Sequence, residues 1–370
     1  MATRDRRRRV TIADVADHAQ VSTTAVSKVI RNAYGVSPAM RERVKAAIAE
    51  LGYRPHAAAR AMRGRTFTIG LMLPHIRNPF FADILDGLME QLADTDYQSI
   101  MIQGGATQKT ERRAVEALVD RQVDGIIMVG PLASRTRLEE VSREMPIVVL
   151  GRHERSAAYD AVFDDDDAGA ELVVQHLITL GHRRIVHITH QDESIARPAD
   201  LLHKIRAEAY ERVMREHGLA GEIAVATTYY TEEGGYEGAR ELLGRSPRPT
   251  AIFAGADQAA FGALAAVHEA GLSVPTDISI AGYDNTRLAA LPNISLTSID
   301  QDGTFMGRTA GRLLLERIEG RTSAVRFSVT PSLIHRRSTA PPNGPRPEST
   351  PLEQAAPEHG EKGPPAGARS

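Results

Sequence analysis

The sequence predicts a small all-α helix-turn-helix unit joined to an α/β body of two lobes, each lobe a parallel sheet flanked by helices. Three observations carry that expectation. Residues 11–54 hold three short segments with apolar side chains at helical spacing. From Phe67 onward, short apolar runs alternate with helical stretches, the pattern of strands covered by helices. The alternation comes in two sets, and a chain of 370 residues is long enough for more than one core.

In the first segment, Thr11-Ile12-Ala13-Asp14 has the form of a helix N-terminus whose hydroxyl and carboxylate satisfy free backbone N–H groups. Ile12, Val15, Ala16 and Ala19 then fall on one face. Ser22 caps a second helix with Val26, Val29 and Ile30 inward, so Thr24, Ser27, Lys28 and Arg31 face out and Thr23 stands at the leading turn. Ser37-Pro38 opens a third helix that buries Val44, Ala47, Ile48 and Leu51. Charge follows the same division. Residues 1–65 carry 14 Lys/Arg against 5 Asp/Glu, a net of +9, in a chain whose total is −2. That asymmetry fits a segment that meets a polyanion, and it also fits a solvated basic tail. The polar outer face of the second helix favours DNA: hydroxyls there can bond base edges or phosphates in a major groove, and Lys28 can donate to guanine acceptors.

In the body, strands are expected at Thr68–Leu73, Ser99–Ile102, Gly125–Val129 and Pro146–Leu150, with helices such as Phe80–Ala93, Thr110–Arg121 and Arg135–Arg143 between them. A second set follows at Arg184–Thr189, Ala224–Tyr229, Thr250–Ala254 and Ile278–Gly282. Ligands of such sheets sit beyond the carboxyl ends of the strands, here between the lobes.

The run TIADVADHAQVSTTAVSKVI, continued by SPAMRERVKAAIAELGYRPHAAARAMRG, resembles the headpiece of the lactose-repressor/galactose-repressor family. The resemblance implies that Thr23, Thr24 and Lys28 read bases, and that Thr11, Ser22, Ser27, Asn32 and Tyr53 hold the phosphate backbone. It further implies that residues 55–63 are a hinge helix that lies in the minor groove, with His56 and Ala59 near its floor. Met62 stands where the family usually has a Leu wedge between base steps, and it is apolar but more flexible.

The body resembles that family's sensor domain, of the periplasmic binding protein type, over Phe67 to Arg337. The landmarks are Asn78-Pro79-Phe80-Phe81, Gly181-His182-Arg183-Arg184-Ile185, Ala256-Asp257-Gln258-Ala259, Gly282-Tyr283-Asp284-Asn285 and Leu296-Thr297-Ser298-Ile299. The chain then crosses between lobes three times, with the helix from about Gly303 in the first lobe and the final strand, near Phe327–Ile334, in the second. By the same resemblance Asp257 is the ligand-binding Asp and Arg206 holds the effector, although the usual Gly is Ala209 here. Phe80, Phe81 and Tyr230 wall or stack on the ligand, and His75, Asn78, Arg152, Asp284 and Gln301 are polar contacts. Each has a plainer structural reading: Phe80 and Phe81 can be core, Asp284 can bind loop backbone, and Arg152 can pair across the cleft.

Other chemistry finds little support. Asp164-Asp165-Asp166-Asp167 sits at a strand end and helix start, where carboxylates complement a helix N-terminus, and His182, His187 and His190 read as fold and surface residues. No phosphate loop or nucleophile elbow occurs, and the absence of Cys removes thiolate chemistry. Neither an enzyme nor a cofactor is expected. Arg6-Arg7-Arg8-Arg9 leads into no apolar segment, and no run reaches the roughly 18 residues of a membrane helix, so a cytoplasmic, nucleoid-associated protein is expected. The division is a basic arm (1–10), a headpiece (11–54), a hinge (55–66), a two-lobed body (67–337) and a tail rich in Pro, Gly, Glu and Ser (338–370) expected to be disordered. The expected partners are an operator duplex, a small-molecule effector, most simply a sugar, and a second copy of the chain. A purine or partner-protein corepressor, and a solute-binding protein, are the alternatives.

Overall fold

The computed structural model describes residues 10–30, 33–53, 65–191 and 201–343. In the headpiece, α1 (Ile12–His18), α2 (Thr23–Ile30) and α3 (Pro38–Leu51) form where their caps direct. Thr11 and Asp14 make a reciprocal capping box. Ser22 Oγ accepts from the Ala25 N–H at 3.1 Å, and Ser37 Oγ accepts from the Met40 N–H at 3.3 Å. The third helix stops at Gly52, whose φ of 61° is the left-handed value that glycine adopts without strain. Val15, Ala16, Val26, Val29, Val44 and Ala47 meet in one core, and Tyr53 joins it.

The body begins with β1 (Thr68–Leu73), α4 (Phe80–Leu92), β2 (Gln98–Gln103), α5 (Gln108–Asp120), β3 (Gly125–Val129), α6 (Arg135–Glu144), β4 (Ile147–Leu150) and β5 (Asp160–Asp164). After α7 (Asp166–Thr179) come β6 (Ile185–His190), α8 (Leu202–Glu216), β7 (Val225–Thr228), α9 (Glu232–Leu243), β8 (Ala251–Ala254), α10 (Asp257–Glu269) and β9 (Ser279–Tyr283). The chain closes with β10 (Thr297–Asp300), α11 (Gly303–Ile318), β11 (Arg326–Val329) and β12 (Ser332–Ile334).

Two six-stranded sheets result, in the orders β11-β5-β4-β3-β1-β2 and β12-β10-β9-β8-β6-β7. Every neighbouring pair is parallel except β10 with β12. Central strands such as β3 and β4 are buried at each position, which is why they read as unbroken apolar runs rather than alternating ones. In the first lobe α4 and α11 cover one face, with Ile84, Leu88, Met306 and Leu313 in the core, and α5 and α6 cover the other. In the second, α9 and α10 oppose α7 and α8. Gly307 sits where α11 crosses α4: a Cβ there would lie 1.9 Å from the Ile84 carbonyl oxygen, so the two backbones touch only because that side chain is absent.

The crossings are at 164–166, 300–303 and 330–331. The helix from Gly303 returns to the first lobe as expected, but the final strand does not belong wholly to the second. Thr330-Pro331 divides it, so β11 pairs with β5 of the first lobe and β12 with β10 of the second. Pro331 has no N–H to continue a ladder, and the chain changes sheet there. The start of the expected tail is also packed. Ser338 is buried, donates to the Ile280 carbonyl at 2.6 Å and accepts from the Thr297 N–H at 2.8 Å, so the second lobe extends beyond Arg337.

Candidate DNA interface and interlobe cleft

The headpiece core leaves a polar face. Thr11, Ser22, Thr23, Thr24 and Lys28 are exposed and Ser27 is half-exposed, so the candidate base-reading residues stand on the outer side of α2. Tyr53 differs from the rest. It is only 9 % exposed, because its ring fills the headpiece core, and this limits any phosphate contact to its hydroxyl edge. Asn32, His56, Ala59 and Met62 lie outside the described residues.

Between the lobes lies a cavity of about 410 Å³ at the carboxyl ends of the strands. His75, Asn78, Phe80, Phe81, Arg152, Arg206, Tyr230, Asp284 and Gln301 all line it, so the structure brings together nine of the ten residues expected at a ligand site. Apolar side chains of Ile84, Val129, Leu150 and Met306 form the first-lobe wall, and Leu201 and Leu202 stand on the second-lobe side.

The tenth residue, Asp257, is not on the wall. It is fully buried at the start of α10, where it accepts from the Thr286 N–H at 2.7 Å, the Thr286 hydroxyl at 2.9 Å and the Ser298 hydroxyl at 2.6 Å. Both oxygens are occupied in tying the loop after β9 to β10. The carboxylate turned to the cavity is Asp284, one strand over, which accepts from Asn78 Nδ2 at 3.1 Å and Gln301 Nε2 at 2.7 Å. Asn78 belongs to the first lobe, so this contact spans the cleft. Asp284 has a φ of 117°, which a non-glycine residue holds only under strain, as residues at ligand sites often do. Burial, reinforced by the nearby Asp257 carboxylate, pushes its carboxyl up to about 8.

Arg206 projects from α8 and is buried. Its Nε donates to Asp166 at 2.6 Å, its Nη1 donates to the Gly255 carbonyl at 2.7 Å, and its guanidinium stacks 3.5 Å from the centre of the Tyr283 ring. The Tyr283 hydroxyl in turn donates to Asp164 at 2.5 Å. That hydroxyl fits only because residue 169 is glycine: a Cβ there would come within 2.1 Å of it. His153 Nε2 reaches Asp166 at 2.7 Å from the first lobe. Burial and the neighbouring Asp166 raise the Asp164 carboxyl to about 7. Asp166 is held below the ordinary carboxylate range by Arg206 and His153, which outweigh its burial.

Arg152 lines the cavity but neither crosses it nor points its charge into it. Its guanidinium donates to the Pro131 and Ala133 carbonyls at 2.7 and 3.0 Å and pairs with Glu154, which also accepts from Tyr159 at 2.7 Å. Glu111 takes the Leu132 and Ala133 N–H groups of the same turn at 2.6 and 2.8 Å, so two buried charges clamp the cavity wall after β3. Phe80 is both core and wall, and Phe81 lies beside it with ring centres 6.4 Å apart. Tyr230 is positioned by its N–H bond to His190 Nδ1 at 3.2 Å, and burial pushes its hydroxyl up to about 12. His75 is half-buried, and burial and Arg77 hold its imidazole below the ordinary value.

Sequence reasoning missed Asp164 and His190, which line the cavity, and Asp166 and Tyr283, which are buried against Arg206. In the run 164–167, Asp165 alone caps α7, through the Ala168 N–H at 3.1 Å. Four carboxylates where one is needed was the available signal. His182 is a fold residue, bonded to Thr250 and Ser279, whereas His190 lies at the strand end that opens on the cavity. Among the described residues, no group of three or more His, Asp or Glu could hold a metal ion, and no helix is long and apolar enough to cross a membrane.

A polar recognition helix on a three-helix unit, carried by a two-lobed body with a cavity between its lobes, defines a DNA-binding regulator that answers to a small molecule. Residues 11–56 match the model of bacterial regulatory proteins of the lacI family, and residues 174–339 match a periplasmic binding protein-like domain. The chain belongs to the LacI family. It is 33 % identical over 332 residues to the ribose operon repressor of Haemophilus influenzae, covering 89 % of this chain and 98 % of that one. Over 339 residues it is 36 % identical to the HTH-type transcriptional repressor PurR of Escherichia fergusonii, covering 89 % and 97 %. Among solved structures, the lac repressor dimer bound to operator and the anti-inducer ONPF superposes with a TM-score of 0.77 at 26 % identity, covering 90 % of this chain and all of that one.

Proposed function

We propose that the chain is a homodimeric repressor that occupies a near-palindromic operator through two headpieces and leaves it when a small sugar fills the interlobe cleft. The observation that carries this reading is the cavity itself, in which residues of both lobes converge on a polar end at Asp284, Asn78, Gln301 and Arg206. A ligand there touches both lobes and can therefore favour one separation of the lobes over another, which is what coupling requires. Within the resemblance, Thr23, Thr24 and Lys28 read bases, while Thr11, Ser22 and Ser27 hold phosphates. Movement of the two first lobes would spread the hinge segments and withdraw the Met62 wedges. Similarity to a ribose operon repressor supports a carbohydrate effector.

The test is fluorescence anisotropy of a labelled duplex from the region upstream of the chain's own gene, titrated with the full protein in the presence of a sugar panel. A sugar that weakens binding at least tenfold supports the reading. Specific binding that no small polyol alters would refute it. A second reading, in which the ligand strengthens DNA binding, is favoured by the equally extensive similarity to PurR and by the apolar first-lobe wall. The sign of the affinity change separates the two.

A further inference from the structure

Charge is unevenly matched in the cleft. Asp164, Asp166 and Asp284 bring three buried carboxylates to its polar end. Arg206 is the guanidinium set among them, and it is bound to Asp166, which His153 also reaches. For Asp164 there remains the Tyr283 hydroxyl, and for Asp284 the neutral amides of Asn78 and Gln301. The other guanidinium on the wall, Arg152, is neutralised by Glu154 and held by two carbonyls inside the first lobe. Two buried carboxylates thus face the cavity with no cation of their own among the described residues.

Burying an uncompensated charge is costly, and such groups respond by taking up protons. The upward displacement of Asp164 and Asp284 is that response. A second observation, the aromatic lining, is independent of the acids. Phe81 of one lobe and Tyr229 and Tyr230 of the other add aromatic surface, which suits both a pyranose ring and a cation.

We propose that the cleft receives a cationic polyol, an amino sugar, whose ammonium group is taken by Asp164 and Asp284. The proposal rests on the cleft being the effector site and names the class of its ligand. A neutral sugar meets these groups in their protonated form, whereas an ammonium group supplies donors and a positive charge that stabilises the carboxylates and displaces their protons.

The experiment is a calorimetric titration of the full chain at pH 6.5 with glucosamine, galactosamine and mannosamine, each beside its parent sugar and its N-acetyl derivative. In at least one series the amine is expected to bind tenfold or more tightly than both neutral members. The excess should vanish in Asp284→Asn, and also in Asp164→Asn, which serves if the first variant fails to fold. If in every series a neutral member binds as tightly as its amine, the proposal is overturned, as it is by failure of all three amines to bind. The two readings fail differently: a neutral sugar that binds and changes DNA affinity removes the amino-sugar class and leaves the effector role standing.

Discussion

Asp257→Ala separates scaffolding from ligand contact within one cleft. The substitution removes the acceptor of three hydrogen bonds, from the Thr286 N–H, the Thr286 hydroxyl and the Ser298 hydroxyl, in a place where no water-exposed partner replaces it. A buried donor left unsatisfied costs about 1–3 kcal/mol. The Ser298 hydroxyl can turn elsewhere, and burial already raises the Asp257 carboxyl to about 6, so the penalties do not simply add. A loss of about 3–5 kcal/mol follows, and at about 2–4 °C per kcal/mol for a body of this size the melting temperature should fall by about 10 °C. Asp257→Asn keeps one acceptor and should cost about 1 kcal/mol. Scanning calorimetry at pH 7.5 measures both, and a parallel ligand titration compares them with Asp284→Ala. The Asp284 variant should melt within a few degrees of the parent and bind ligand at least tenfold more weakly. If Asp257→Ala melts with the parent and loses ligand while Asp284→Ala binds normally, the assignment of the two residues is reversed and the reasoning fails.

Lys28→Ala should weaken specific duplex binding by about tenfold or more, since one good base contact discriminates by about 1–3 kcal/mol, while binding to random duplex changes little; equal losses on both would remove Lys28 from base reading. Gly307→Val drives a side chain into the Ile84 carbonyl and should cost at least about 3 kcal/mol by prising α11 from α4, read as a lowered denaturant midpoint; an unchanged midpoint would contradict the close approach. Stability should also fall as pH rises from 6.5 to 8.5. Asp164 and Asp284 titrate at about 7 and about 8 when folded and near 3.8 when unfolded, so in this window the folded chain holds protons that unfolding releases. Below pH 6.5 the buried His187 and the half-buried His176, lowered to about 3 and about 4, act in the opposite direction because the unfolded imidazoles bind protons. Asp284→Asn should flatten the upper limb, and a melting temperature that climbs from pH 6.5 to 8.5 would contradict the assignment.

Much of this architecture was legible because periodicity and caps report local physics. Thr11, Ser22 and Ser37 each cap the helix that their position indicates, and the apolar runs of β3 and β4 lie at the centre of a sheet because only burial on both faces favours such runs. Arg206 was legible only through the family resemblance, despite Ala209, and the structure buries it against Asp166. Asp257 was misread for a physical reason. Asp257 and Asp284 both follow strands of the second sheet, and the sequence does not state which carboxylate turns toward solvent space and which meets the donors of a neighbouring loop. The acids at 164 and 166 were hidden by their capping neighbour Asp165, because a helix start explains a carboxylate so readily. The split of the last strand depends on which sheet edge lies nearer on either side of Pro331, a tertiary matter that the alternation of residues does not encode.

The central claim is that occupancy of the interlobe cleft controls the grip of the headpiece on DNA. The direct measurement is the dissociation constant of the full chain for its upstream duplex, with and without a saturating cleft ligand, in the parent and in Asp284→Asn. The account predicts a change of at least tenfold in the parent and little or none in the variant, with ligand-free affinity equal in both. Ligand that fills the cleft of the parent by calorimetry and leaves its DNA affinity unchanged would contradict it.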